Sequence, residues 1–352
     1  MAPHDPLVIA EQGHFFTGLR RKAGASGTAV SGMGVGYQVP ARQRHPYPLV
    51  MVHGGGGQAL DFLATPDGRP GWATLFLAAG YAVYVVDRPG MGRSPHHPDL
   101  FGPLTPPPGY GSMVAGFAAP ASPPASQARP YPQARLHSQW PGSGTPGDPA
   151  LDQFLAGQEA MAGGLRAAQE AMREAGAELL DRIGPAVLLT HSMGGAFGWL
   201  VADARPGLVK AVVAVEPIGP PFAGLPGLGE LSWGLTAIPL TFQPPVEDPA
   251  DLRRELLPAP EPDLIDAYVQ AEPARQIPAL RDIPVGVVTA EASWFAQFGH
   301  AVVEFLRQAG ANVAHLRLAE HGIHGNGHLM MLERNSADIA SLIDRWLTDA
   351  GC

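Results

Sequence analysis

The chain has 352 residues and a formal net charge of −9, with 45% hydrophobic and 16% charged residues. This composition is typical of a globular protein rather than a disordered chain, and the length allows one large domain with an inserted subdomain. Lys22 and Lys210 are the only lysines, and no run of basic residues occurs. We therefore expect no nucleic-acid partner.

No apolar run approaches the roughly 18 residues that span a bilayer, so we expect no transmembrane segment. The first residues, MAPHDPLVIAEQGHFF, lack the basic start and apolar run of a signal peptide. The sequence as it stands thus predicts a cytoplasmic protein, whereas an earlier leader would make it secreted or periplasmic. The only cysteine is Cys352, which excludes intrachain disulfides and cysteine-rich metal sites. We expect no bound metal. The sequence is compatible with a homodimer.

The chain alternates buried strands with amphipathic helices. Near-continuous apolar runs, typical of strands covered on both faces, occupy 47–57, 80–94, 186–195, 209–217 and 283–291. Apolar residues recur at helical spacing in 151–183, 299–309 and 336–347. This alternation predicts an α/β fold with a doubly wound, mostly parallel sheet. The opening runs GHFFTGL (13–19) and GMGVGYQVP (32–40) predict a short antiparallel edge.

Two segments interrupt this alternation. Residues 95–150 contain 14 of the 38 prolines and almost no periodic pattern. We interpret them as a functional insertion, with a disordered surface insertion as the open alternative. Residues 218–282 are also rich in proline and glycine, but they contain bulky aromatic residues that need a surface to pack on. We predict a core formed by 1–94, 151–217 and 283–352, with 218–282 as a cap over it. Phe222 and Trp233 of the cap, with Trp294, are the predicted pocket residues.

Thr190-His191-Ser192-Met193-Gly194 lies where a buried strand should meet a helix. A serine held out on such a tight turn is typical of a nucleophile, and the following helix N-terminus favours developing negative charge. The usual pattern is Gly-x-Ser-x-Gly, and here threonine replaces its first glycine. Taken alone, the stretch could equally be a small residue in a tight turn.

A glycine-rich loop, HGGGGQ (53–58), follows the first predicted parallel strand. Such a loop can supply a backbone N–H to an oxyanion hole, with Gly55 or Gly56 as the donor and Met193 as the second donor. A phosphate-binding loop is disfavoured because the Gly-Lys-Ser/Thr ending is absent. His53 is expected to brace the loop.

A general base is expected near the C-terminus, in EHGIHGNGHLMMLERN (320–335). His328 has the best position, ahead of the last helix, with His324 as the alternative base and His321 third. Two carboxylates end apolar strands, Glu216 and Glu291, and either could orient the imidazole of the base.

These residues resemble the α/β-hydrolase superfamily, and more closely a small group of bacterial carboxylesterases with a Ser–Glu–His triad. The resemblance extends to TPDGRPGW (65–72), GYAVYVVDRPGMGRS (80–94), VEP (215–217) and HGNGHLMMLERN (324–335). It implies Glu216 as the acid and His328 as the base. The oxyanion loop here is all glycine, which departs from that group, where cysteines occur in this loop. Most enzymes of this fold place the acid where Glu291 stands, which keeps Glu291 as the alternative acid.

We therefore predict a cofactor-independent carboxylesterase that cleaves small or medium esters, aromatic ones included, through an acyl-enzyme on Ser192. Lactonase, amidase and acyltransferase activities use the same triad and stay open. Enzymes with an aspartate nucleophile are excluded by the serine at this position. An inactive binding protein on this scaffold is the alternative from another class.

Overall fold

One eight-stranded sheet organises the fold. The computed structural model describes residues 6–24, 27–122, 130–162 and 164–352. In chain order, the strands are β1 (Ile9–Gly24), β2 (Gly27–Pro40), β3 (Leu49–Val52), β4 (Val83–Asp87), β5 (Ala186–His191), β6 (Val209–Val215), β7 (Pro284–Thr289) and β8 (Asn312–Arg317). Their spatial order is β1-β2-β4-β3-β5-β6-β7-β8. Strands β1 and β2 are antiparallel to their neighbours, and the other neighbouring strands are parallel. The predicted mostly parallel α/β sheet is confirmed.

Helices cover both faces of the sheet. The described residues form six helices of eight or more residues: α1 (Trp72–Ala79), α2 (Pro149–Ala156), α3 (Leu165–Ile183), α4 (Gly195–Ala204), α5 (Gly299–Gln308) and α6 (Ser336–Asp349). Apolar side chains of α3, α4 and α5 share one buried cluster, and those of α1, α2 and α6 share a second cluster. Successive side chains of a strand point to opposite faces of the sheet, so each central strand contributes to both clusters. In β3, for example, Val50 and Val52 join the first cluster while Leu49 and Met51 join the second.

The N-terminal hairpin is much longer than the short edge predicted from its apolar residues. β1 and β2 contain 16 and 14 residues. Their ladder continues through exposed polar positions, because backbone pairing needs no apolar side chain. A register shift between Thr17 and Arg20 places Gly18 against Ala175 of α3, where the Gly18 N–H donates to Glu178 at 2.7 Å. The far half of the hairpin is thus held by a helix that is distant in sequence.

Two further elements differ from the sequence-based expectation. The helical pattern in 151–183 forms two helices, α2 and α3, with α2 ending at Ala156 and α3 starting after Gly164, whose φ is 103°. The edge strand β8 was not recognised as a strand, because most of its positions are half-buried or exposed. Neither the division of the helix nor the additional edge strand alters the central strands.

The two proline-rich segments contain short elements. Pro98–Phe101 and Tyr110–Met113 are single helical turns, followed by the π-helical turn Val114–Ala118 and the 3-10 turn Pro132–Leu136. Two more 3-10 turns in these segments are Pro249–Asp251 and Pro278–Leu280. Outside the segments, Ser192–Gly194, Trp294–Gln297 and Leu318–His321 are 3-10 turns, and Leu60–Leu63 is a short α-helix. Two small antiparallel pairs lie in 218–282: Gly224–Leu225 with Gly229–Glu230, and Arg254–Leu257 with Ala267–Gln270.

All eight strands of the main sheet lie within 1–94, 151–217 and 283–352. The division into a core, an insertion and a cap stays a prediction, and residues 123–129 of the insertion lie outside the described residues. Within the described ranges, no helix is both long and apolar enough to cross a membrane.

Candidate active site

Ser192 stands on the turn between β5 and α4. Its φ of 52° lies in the left-handed region, which a residue other than glycine occupies only where the surroundings enforce it. Packing explains why glycines follow it. A Cβ on Gly194 would lie 2.5 Å from the carbonyl oxygen of His53, and one on Gly195 would lie 2.6 Å from Cβ of Pro217. The turn therefore sits pressed between the β3 loop and the β6 loop, with the serine at its corner.

His328 and Glu216 form the closest acid–base contact of this region. Nδ1 of His328 lies 2.6 Å from Oε2 of Glu216, and both side chains are buried. Glu216 directly follows β6, with a φ of 41°. It also accepts hydrogen bonds from the Ala290 N–H at 2.9 Å and from the Ser293 hydroxyl at 2.7 Å. These donors fix the position of the carboxyl group, and with Glu216 as a carboxylate we assign the imidazole proton of His328 to Nδ1.

The surroundings of His328 are apolar. Its ring stacks on Phe295, with centroids 3.9 Å apart and the planes 9° apart. Its backbone carbonyl accepts a hydrogen bond from Nε2 of His191 at 3.0 Å. Burial lowers the pKa of His328 to about 3. Burial also raises the pKa of Glu216, against the hydrogen bonds from Ser293 and Ala290 that lower it. Since the Ala290 N–H and the Ser293 hydroxyl both donate to Glu216, we assign a carboxylate there, beside a neutral imidazole.

The two alternative residues lie together at the surface. His324, which is 62% exposed, places Nδ1 3.2 Å from Oε1 of Glu291. Glu291 also accepts the Gly325 N–H at 2.8 Å. His321 is exposed as well. The structure therefore joins the alternative acid to the alternative base, and brings neither to His328.

The glycine loop after β3 runs beside Ser192. A Cβ on Gly54 would lie 3.0 Å from Cβ of Ser192, so only glycine allows this approach. Gly55, Gly56 and Met193 line the same cavity as Ser192 and His328. His53 is buried behind the loop, where Nδ1 donates to the Gly54 carbonyl and Nε2 accepts the Arg88 N–H, both at 2.9 Å. This is the bracing position expected of His53.

The cavity above Ser192 has a volume of about 330 Å³. Both proline-rich segments contribute to its walls: Met113 and Phe117 come from 95–150, and Leu225 and Leu228 from 218–282. The wall also contains the polar residues Asp61, Gln158 and Glu159. A larger groove of about 910 Å³ follows the β1–β2 hairpin, but neither Ser192 nor His328 lines it. The 330 Å³ cavity is therefore the candidate site.

Of the three predicted pocket residues, only Trp294 lines this cavity. The prediction is wrong for Phe222 and Trp233, which are 5% and 4% exposed members of the hydrophobic core. Phe222 packs edge-on against Phe305 of α5, and Trp233 stacks on Phe242. Large apolar rings from a loop are stabilised most by complete burial, and the faces of the sheet offer that surface.

The sequence analysis missed several residues of this site. Ser293 and Phe295 belong to no motif that marks them in the sequence, and His191 was considered only as part of the serine turn. Arg88 lies within the motif quoted for the resemblance, but no role was given to it. Among the described residues, no group of three or more His, Cys, Asp or Glu side chains could hold a metal ion.

The comparisons with known proteins show which family the chain belongs to. The sequence model of the α/β-hydrolase fold family matches residues 47–235, which include Ser192 and Glu216. The chain belongs to the α/β-hydrolase family. It is 39% identical over 355 residues to a protein named "Probable secreted lipase phiG" from Fungal sp. (strain ATCC 74256), covering 97% of this chain and 95% of that protein.

A solved structure titled as that of a novel bacterial esterase is similar in fold. It superposes with a TM-score of 0.67 at 23% identity, covering 100% of this chain and 99% of the esterase. Lipases and esterases both hydrolyse carboxylic esters. The predicted class of this α/β hydrolase, carboxylic ester hydrolase, is confirmed.

Proposed function

We propose that this α/β hydrolase cleaves small and medium carboxylic esters through an acyl-enzyme formed on Ser192. The observation that carries the proposal is the 2.6 Å contact between His328 and Glu216, beside an apolar cavity that Ser192 lines. A buried neutral imidazole next to a strained serine turn is the arrangement that nucleophilic acyl transfer requires.

Each residue then has a defined chemical role. Ser192 attacks the ester carbonyl while Nε2 of His328 takes the hydroxyl proton. Glu216 holds the ring by Nδ1 and stabilises the imidazolium that forms. His328 returns the proton to the leaving alcohol, and a water activated by the same nitrogen then hydrolyses the acyl-enzyme.

The carbonyl oxygen becomes negatively charged in both steps. We assign the backbone N–H groups of Met193 and Gly55 as its donors, with Gly56 as the alternative in the same loop. The N–H of Met193 lies in the first turn after β5, where a helical segment leaves its N–H groups unsatisfied. Loss of one such donor typically costs about 3 to 4 kcal/mol of transition-state stabilisation.

The size and lining of the cavity support the proposed substrate class. A volume of about 330 Å³ enclosed by Met113, Phe117, Phe154 and Phe295 is at the lower end of ligand sites. It suits a short or medium acyl group or an aromatic ring, and it disfavours a long acyl chain. Lactones, amides and acyl transfer to an alcohol use the same groups, and the substrate panel described in the Discussion separates them from simple esters.

Location is a separate proposal. The fungal relative is named as a secreted protein, and we propose that this chain acts outside the cytoplasm too. Activity assays on culture medium and on cell lysate from the native host test this. Activity confined to the lysate would favour the cytoplasmic expectation.

The nucleophile is tested with a fluorophosphonate probe and the Ser192→Ala variant. We expect the probe to label Ser192 of the wild type, and peptide mass spectrometry identifies the modified residue. Ser192→Ala should remain folded and lose about 10⁶-fold in kcat, as in a model serine protease. Turnover above a few per cent of wild type in a contaminant-free preparation would refute the assignment, and an unlabelled, inactive wild type would favour a binding protein.

A further inference from the structure

Arg88 is a buried cation behind the glycine loop. The residue is 5% exposed, and its Nε atom has no hydrogen-bond partner. No carboxylate of the described residues lies within ion-pair distance of its guanidinium. Asp87, one position earlier, is paired with Arg93, and Asp61 acts on Arg88 only from a longer distance. A buried charge without a paired carboxylate is costly, so what the group contacts is informative.

The main contact of Arg88 is a backbone carbonyl. Nη2 of Arg88 donates to the carbonyl oxygen of Gly54 at 2.7 Å. The same oxygen accepts Nδ1–H of His53 at 2.9 Å. The imidazole of His53 is in turn held by the backbone N–H of Arg88. Both lone pairs of the Gly54 carbonyl are therefore used, one of them by a full positive charge.

This carbonyl belongs to the same peptide unit as the N–H of Gly55. A peptide unit is planar and its C–N bond has partial double-bond character, so a cation at the oxygen draws electrons from the nitrogen. In a trans unit the N–H points away from the C=O. The Gly55 N–H is therefore directed away from Arg88, on a loop whose glycines line the cavity with Ser192.

We propose that Arg88 is a positioning residue of the oxyanion hole: its guanidinium orients and polarises the Gly54–Gly55 peptide, which makes the Gly55 N–H a stronger donor to the substrate oxyanion. Hydrogen bonds in a chain strengthen one another, and a charge-assisted bond at the carbonyl has the largest effect. This inference rests on the proposed acyl-transfer function, and it adds a charged residue that does not touch the substrate.

The neighbours of Arg88 fit this role. Nη2 also lies 3.1 Å from the sulfur of Met91. Met91, Met161 and Met172 line a small space of about 30 Å³ with Arg88, beside the main cavity. Burial lowers the pKa of Arg88 to about 10, which still leaves it charged at neutral pH. An apolar environment keeps water from screening this charge, so its influence on the peptide is strong.

The test compares Arg88→Met, Arg88→Gln and Arg88→Lys. Methionine fits the apolar surroundings and removes both the charge and the donor. Glutamine has a neutral donor, and lysine has a charged one. We expect kcat to fall on the order of 10- to 100-fold in Arg88→Met with KM nearly unchanged, less than for loss of a direct donor. Arg88→Lys should recover more of the activity than Arg88→Gln. Arg205→Met, at a surface pair with Asp181, is the control for loss of one arginine.

The affinity for a trifluoromethyl ketone distinguishes this role from a purely structural one, because the adduct of the ketone with Ser192 carries an oxyanion. This affinity should fall by the same factor as kcat, with active sites counted by fluorophosphonate labelling. The inference is overturned if Arg88→Met has the kcat per labelled site and the ketone affinity of the wild type. If Arg88→Met does not fold, the same result in Arg88→Gln overturns it. If Ser192→Ala remains active, the proposed function itself fails. If Ser192→Ala is inactive while the Arg88 variants match wild type, only this inference fails.

Discussion

Glu216 contacts Nδ1 of His328 across 112 residues of sequence, while Glu291 contacts Nδ1 of His324 at the surface. The two candidate acids thus bind different histidines. Only the first pair is buried and shares a site with Ser192. This separation makes the roles of the two glutamates experimentally distinguishable.

Glu216→Gln should lower kcat by about 10⁴-fold, because an amide favours the wrong tautomer and cannot stabilise the imidazolium. Glu291→Gln is the matched control, since it makes the same chemical change on the neighbouring strand end. It should lose no more than about threefold, because a surface pair contributes little. Steady-state kinetics on both folded variants check this. An inactive Glu291→Gln beside an active Glu216→Gln would reverse the assignment of the acid.

The drop of kcat/KM on the acid side of the pH profile should occur at low pH. His328 accepts a proton only when neutral, and burial lowers its pKa. As the pH falls through that pKa, the imidazole is protonated and kcat/KM drops. We expect the midpoint below about 6.5, the value of an exposed histidine.

Phe295→Ala is the companion variant for this measurement. It removes the ring stacked on His328 and admits water, so the midpoint should rise toward that of an exposed histidine. A wild-type midpoint of 7 or higher would contradict the buried neutral imidazole. A profile that is flat from about pH 5 to 9 would contradict a histidine base altogether.

Acyl-chain preference should be set by the end of the cavity. A panel of nitrophenyl esters, with aromatic esters, a lactone and an amide beside them, should show the highest kcat/KM for short or medium acyl groups. Met161 lines both the 330 Å³ cavity and the 30 Å³ space beside it. Met161→Ala should therefore shift the preference toward longer chains.

Met172→Ala is the control for that shift. Met172 lines the small space but not the main cavity, so its truncation enlarges the former without opening the latter. The chain-length profile should stay that of wild type, although stability falls by about 2 to 5 kcal/mol. Faster hydrolysis of dodecanoate than of butanoate by the wild type would disprove the proposed substrate class.

Gly195→Ala should destabilise the protein although alanine favours helices. The new Cβ would lie 2.6 Å from Cβ of Pro217, next to Glu216. Relieving this overlap should cost about 1 to 3 kcal/mol. Gly116→Ala is the matched control, because its Cβ would meet nothing within 4 Å. Urea denaturation measures both changes, and equal stabilities would show that the serine turn is not tightly packed.

The amino-acid sequence by itself determined the local features of this protein. The buried central strands, the strand–serine–helix turn, the glycine loop and the class of ester hydrolase all follow from short stretches of chain. Such features arise from hydrophobic periodicity, turn chemistry and residue type, each of which acts over a few residues.

Only the tertiary structure decided which distant residues meet. Three histidines lie within eight residues of one another, and their sequence positions do not tell which one turns inward. That depends on where the loop after β8 closes over the ends of β6 and β7. The same holds for Phe222 and Trp233, whose burial depends on α5 and on the rest of 218–282, and for Arg88, whose partner is a carbonyl 34 residues away. Contacts across the sheet are set by packing of the whole core, and no local pattern encodes them.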